Sequence, residues 1–135
     1  MKAELQLHDV VVMTQSCDLV NDKLEDVILC PHWDLKEAGQ MDAALGSKST
    51  WKSILKGYKY GYTMLEGLQN KEVSMGVRVV YFGRIFSLPK SFVIQFAASQ
   101  GKRLRLRPPY REHLSQSFAR FFMRVGLPQD IKLPE

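Results

Sequence analysis

Apolar positions along the chain change period several times. Val10-Val11-Val12-Met13 is a β-branched run too short for a helix, so a buried strand is expected near residues 10–14. The polar string Thr14-Gln15-Ser16-Cys17-Asp18-Leu19 follows, its small side chains suited to bonding local backbone in a turn, and the loop continues through Val20-Asn21-Asp22-Lys23. Val27-Ile28-Leu29-Cys30 gives a second strand near 26–30, which Pro31 is expected to end by withdrawing a ladder donor. The period then becomes helical. Asp34 with Glu37 resembles a capping box, Leu35, Ala38, Met41 and Leu45 lie near one helical face, and Gly46 closes it. Trp51, Ile54, Leu55 and Tyr58 repeat at i, i+3, i+4 and i+7, completing a helical insert over about 34–60. Strands are expected again near 62–66 and near 77–86, with a turn at Gly67–Asn70 and a candidate bulge at Gly83.

In the last third, Pro89 and Gly101 bracket Phe92–Ala98 as start and stop of a helix, though Val93-Ile94 leaves a strand open. Leu104-Arg105-Leu106-Arg107 alternates with period two and predicts a half-exposed edge strand, halted by Pro108-Pro109. From Tyr110 to about residue 125 the spacing of Leu114, Phe118, Phe121, Phe122 and Val125 predicts a long amphipathic helix. Phe118 and Phe122 are expected to be buried, with Arg120 and Arg124 in solvent.

At 135 residues, 45% hydrophobic, the chain suits one domain over residues 1–135. The apolar runs Val77–Phe82 and Phe92–Ala98 are interrupted by Arg78 and Gln95 and fall far short of the roughly 20 residues a bilayer span needs, so no membrane partner is expected. The start has no apolar h-region with a cleavage site, which makes a cytoplasmic location the expectation. Two cysteines cannot form a disulfide scaffold.

Charge is unevenly spread. Residues 1–75 carry 8 Lys+Arg against 11 Asp+Glu, a net of −3, whereas residues 76–135 carry 11 against 3, a net of +8. The basic half is mostly arginine, whose planar fork pairs bidentately with phosphate or carboxylate, so an anionic partner is indicated. The alternative is a basic half that pairs with the acidic half of the same chain.

Val10 to Leu19, followed by a short loop and Val27-Ile28-Leu29-Cys30-Pro31, resembles the paired strands of the MazF/PemK-type toxins. Val79 to Leu88, read as a valine-rich strand running into Arg84-Ile85-Phe86-Ser87-Leu88, and Arg124-Val125-Gly126-Leu127 resemble that family's later strand, basic segment and closing helix. The Thr-Gln-Ser-Cys-Asp-Leu string and the stretch Pro109 to Pro128 also look like those of a family of bacterial proteins that brings no activity with it. The toxin resemblance implies a mostly β fold with helices (α+β), built as a small SH3-like β-barrel carrying a helical insert and a C-terminal amphipathic helix. Those toxins cleave single-stranded RNA with an arginine just before the first strand and a threonine or serine just after the second. Here Gln6-Leu7-His8-Asp9 and Pro31-His32-Trp33 stand at those places, so the catalytic pair does not carry over.

Candidate chemistry follows from these segments. Cys17, Asp18, Cys30 and His32 give three metal ligands with a poor fourth, and no metal or cofactor is expected. An aspartate beside Cys17 disfavours thiolate, so the cysteines are read as small buried side chains. Thr14, Gln15, Ser16, Cys17 and Asp18 form a candidate ligand turn at the end of a strand. His32 and Arg84 are the candidate catalytic residues for a metal-independent endoribonuclease. Arg103, Arg105, Arg107, Tyr110, Arg111, Arg120 and Arg124 are the candidate nucleic-acid-binding set, with Tyr110 supplying a stacking ring. Three functional readings stay open: a non-catalytic or weakly catalytic PemK/MazF-like module that binds an anionic partner such as single-stranded RNA, a protein-interaction or regulatory module of a bacterial defence or toxin–antitoxin system that binds an acidic protein, and an endoribonuclease. A homodimer is compatible with each.

Overall fold

The computed structural model describes residues 2–123. Strand β1 (Asp9–Val12) is followed by helix α1 (Ser16–Val20), the long strand β2 (Asp26–Asp34), helix α2 (Leu35–Met41), a 3-10 turn (Ala43–Gly46) and helix α3 (Lys48–Leu55). Strands β3 (Tyr62–Leu65), β4 (Leu68–Gln69), β5 (Ser74–Met75), β6 (Arg78–Tyr81) and β7 (Phe86–Pro89) precede helices α4 (Lys90–Ser99) and α5 (Tyr110–Phe122). The main sheet has the order β1-β2-β6-β3, β7 pairs with β2 beside β6, and every ladder is antiparallel. β4 and β5 form a separate two-stranded ribbon.

Register decides what each sheet face carries, because directly paired residues project to the same side. Val11 pairs with Cys30, His32 with Val80, and Val80 with Thr63, which sets one face. On it Cys30, Val80 and Phe82 are buried with Leu114 of α5, and Val11, Met13, Leu65, Leu106, Phe118 and Phe121 pack around them. Trp33 pairs with Val79 and Val79 with Met64, setting the opposite face. There Val79 is buried with Ala38, Leu45 and Ile54 from the helical insert, flanked by Trp33, Leu35, Tyr62 and Met64. The sheet is thus covered by α5 on one side and by the insert on the other. The insert's joints are capped as their sequence suggests: the Asp34, Asp42 and Ser47 side chains accept from the backbone amides of Lys36, Ala44 and Thr50.

The fold is mixed α+β, and several finer expectations are corrected. Helices hold more residues than strands, and the ladders among the described residues form no closed barrel. Pro31 does not end its strand. It sits fully buried inside β2, opposite Val10 of the edge strand β1, where a missing donor is tolerated, and β2 runs on to Asp34. The polar string at 14–19 folds into the short helix α1 rather than only a turn. The strand expected over 77–86 is two strands joined by a turn at Phe82-Gly83, with Gly83 in the turn and not in a bulge. A Cβ on Gly83 would collide with the Tyr81 ring, so only glycine lets that ring fold over the turn. Leu68–Gln69, expected as turn, pairs with Ser74–Met75. Leu104–Arg107 joins no ladder; its alternation reflects one docked leucine, Leu106, and not a strand. Phe92–Ala98 is helical, as Pro89 and Gly101 suggest. Neither phenylalanine expected in the core is fully buried: Phe118 is partly buried against the cluster, and Phe122 is 56% exposed, since the apolar stripe of α5 runs through Leu114, Phe118 and Phe121 and leaves Phe122 at its margin. Arg120 reaches solvent as expected, while Arg124 and the Val125–Pro128 ending lie outside the described residues.

Candidate functional site

The segment between α4 and α5 crosses the α5 side of the sheet with one anchor. Leu106 packs against the buried cluster, and Arg103, Arg105 and Arg107 are exposed around it. Among the described residues none of these three arginines pairs with a carboxylate, whereas Lys102 is bound to Glu72 at 2.7 Å. The segment leads into Tyr110, the first residue of α5, which is 52% exposed and meets His113 edge-on at 6.4 Å. Arg111 differs from its neighbours: it is half-buried and donates to Glu112 at 3.0 Å. Arg120 lies about three turns along α5 from Tyr110.

On the same sheet face, Arg78 at the start of β6 joins β1 to β2. Its Nη2 donates to Asp9 Oδ2 at 2.6 Å, its Nε donates to His32 Nδ1 at 3.0 Å, and Nη2 also reaches the His32 carbonyl at 3.4 Å. The Arg78 side chain is only 11% exposed and that of Asp9 70%. Burial holds the His32 pKa below its ordinary value, and the Arg78 charge pushes the same way, against weaker opposing pulls from Asp9 and from a hydrogen bond with the Val10 backbone. Because Nδ1 accepts from a guanidinium that never gives up its proton, neutral His32 carries its hydrogen on Nε2. His32 is therefore a donor here, and its lone pair is engaged. The cation beside it is Arg78; Arg84 stands in the exposed turn after β6 with no ion pair among the described residues. Neither Arg78 nor Asp9 stands out in the sequence. The available signal is an arginine at the head of a valine-rich strand, where a side chain facing the core must find acceptors.

The candidate ligand turn is built as follows. Thr14 Oγ1 accepts from the Ile28 amide at 2.8 Å, Gln15 precedes α1 as its N-cap residue, Ser16 opens that helix, and Asp18 lies 4.0 Å from Lys23. Lys90 at the head of α4 donates to the Leu19 carbonyl and to Asp22, whose carboxyl it holds below the usual range by that hydrogen bond and its charge. Cys17 is exposed, which corrects the expectation of a buried side chain. Cys30 is the buried filler expected, its thiol pushed up to about 11 by burial and so inert at neutral pH. Among the described residues no group of three or more His, Cys, Asp or Glu is arranged to hold a metal ion. No described helix is long and apolar enough to cross a membrane.

Comparisons with protein-family models, with curated proteins and with solved structures return no match to this chain.

Proposed function

We propose that the chain is a non-catalytic binding module for an anionic polymer, with single-stranded RNA as the favoured ligand. The observation that carries this reading is the exposed segment Arg103–Arg107, whose arginines lack acid partners among the described residues and lead into the exposed ring of Tyr110. Free guanidinium groups beside an accessible aromatic suit a strand whose phosphates are contacted and whose bases stack. The excess of +8 in residues 76–135 supports attraction of such a ligand. A relation to the MazF/PemK-type toxins belongs to the same proposal, supported by the antiparallel β1–β2 pair and by a late helix packed on the sheet. Catalysis is left out because the lone pair a base would use at His32 Nδ1 is occupied by Arg78.

The test is binding of single-stranded RNA by the full chain over a range of salt concentrations. Affinity should fall steeply with salt, and the double variant Arg105→Ala/Arg107→Ala should bind more weakly with a shallower slope, by about one unit for each phosphate no longer neutralised. Unchanged affinity in the double variant overturns the reading. A second reading, a protein-interaction module, is favoured by the exposed and stacked rings of Phe92 and Phe96 on α4. Binding of a protein partner that persists at high salt and is abolished by Phe92→Ser supports it over the first.

A further inference from the structure

A cleft between the loop after α3 and the final turns of α5 is lined, among the described residues, by hydrogen-bond donors and by no carboxylate. Lys59 and Arg120 both line it, together with the hydroxyl-bearing Thr63 and Ser117. Among the described residues neither cation is paired with an acid, and neither hydroxyl is engaged in a hydrogen bond.

The fold builds this cleft from three local choices. Ser117, Arg120 and Phe121 recur at i, i+3 and i+4, so one face of α5 presents a hydroxyl, a guanidinium and an anchoring ring. Phe121 presses on Gly61, where an added Cβ would stand 3.4 Å from the ring and where the backbone takes φ +90°, a conformation that favours glycine. The Gly61 carbonyl accepts from the Phe82 amide at 2.8 Å, which ties the loop to the sheet. Lys59 is held over the Tyr62 ring at 5.4 Å, and Tyr62 stacks on Tyr81 at 4.9 Å. Its ammonium is therefore positioned by an aromatic face. The cavity is small, about 40 Å³, and opens to solvent.

We propose that this cleft binds a phosphate monoester group, with Arg120 and Lys59 supplying charge and Ser117 and Thr63 supplying hydroxyl donors. Two cations and two hydroxyls with no acid among the described lining residues match a dianion whose oxygens accept several charge-assisted hydrogen bonds. The proposal stands apart from the basic segment before α5. The group's source is either a free phosphorylated small molecule or the terminal phosphate of a nucleic-acid strand.

The experiment titrates the full chain with inorganic phosphate and follows backbone amide chemical shifts. Saturable shifts should be confined to residues 57–63 and 117–121. Arg120→Gln and Lys59→Met should each weaken binding about tenfold, as expected when one charge-assisted hydrogen bond is removed, and Arg120→Lys should restore part of it. Arg105→Ala/Arg107→Ala should leave phosphate binding unchanged, which separates this cleft from the RNA reading. Absence of saturable shifts, or equal affinity in both single variants whose spectra show a native fold, overturns the proposal. Tighter binding of 5′-phosphorylated than of 5′-hydroxyl RNA assigns the group to a strand end. Equal binding of the two, with phosphate still saturating the cleft, assigns it to a free phosphate compound.

Discussion

Arg78 and Arg105 lie on the same side of the molecule and have opposite fates. Arg78 begins a central strand, cross-paired with Asp34 on β2 and Leu65 on β3, and its side chain is nearly covered. A guanidinium removed from water must have its donors met, and here His32 and Asp9 meet them. Arg105 precedes Leu106 in a segment that belongs to no ladder, so one docked leucine holds the chain down and leaves the adjacent guanidinium in water. Counting arginines treats the two alike. The fold distinguishes an arginine consumed in joining β1 to β2 from arginines left in water.

The largest expected effect breaks the buried side of this contrast. Arg78→Met keeps the aliphatic stem but deprives His32 Nδ1 of its donor and Asp9 of its partner, and should destabilise the fold by about 2 kcal/mol, the typical penalty of a covered polar atom left unpaired. The shift of the urea midpoint measures it. A destabilisation under about 0.5 kcal/mol, the range of ordinary surface substitutions, would show that Arg78 is no more structural than Arg105.

Next in size is the free side. Arg105→Ala/Arg107→Ala should leave the urea midpoint within about 0.5 kcal/mol of the parent, as exposed substitutions do. RNA affinity should nevertheless drop about tenfold at low salt, because every phosphate that is no longer neutralised keeps its condensed counterions. A destabilised but equally tight-binding double variant would reverse the assignment of roles.

The legibility of these features in the sequence follows the same division. Where one period dominates, the element is readable: the valine run is a strand, though β1 (Asp9–Val12) lies at the sheet edge with Val10 and Val12 exposed and is not the buried strand its composition suggests, the Leu114, Phe118 and Phe121 stripe is the face of α5 that packs on the sheet, and Asp34 caps α2. Where a local signal competes with tertiary pairing, it misleads. Pro31 reads as a strand terminator, yet opposite the edge strand its missing donor costs little and β2 continues. The alternation at 104–107 reads as a strand, but no neighbouring strand offers it a ladder. The exposed arginines before Tyr110 are visible as a charge pattern. The His32–Arg78–Asp9 group is not, because its members stand far apart in the chain and only register brings them together.

Acid should act through the same group. His32 has a folded-state pKa below its ordinary value, so the unfolded chain binds its proton more readily than the folded one. Stability from this residue is then fully present above the unfolded pKa of about 6.5 and is lost as pH falls from there toward the depressed folded value. The physical event is protonation of Nδ1, which puts a second positive charge against the Arg78 guanidinium and removes its acceptor. Urea midpoints measured across pH 5–8 should decline on the acid side in the parent and less so in His32→Gln. Equal slopes in the two proteins would place the acid sensitivity elsewhere.

The smallest effect expected belongs to the exposed member of the group. Asp9 is mostly in solvent, so its ion pair with Arg78, though short at 2.6 Å, competes with water and is screened by salt. Asp9→Asn retains an acceptor oxygen for Arg78 Nη2 while removing the charge, and should cost about 0.5 kcal/mol at low ionic strength and less at high salt. His32 should also titrate at a still lower pH in this variant, because the Asp9 carboxylate pulls its pKa upward. The two readouts separate two contributions of Asp9. A destabilisation comparable to that of Arg78→Met would mean that the carboxylate, and not the hydrogen bond to His32, holds Arg78 between β1 and β2. A near-neutral urea midpoint with a shifted histidine titration would place the anchor at the Arg78–His32 pair, with Asp9 tuning the proton affinity of the imidazole from the rim.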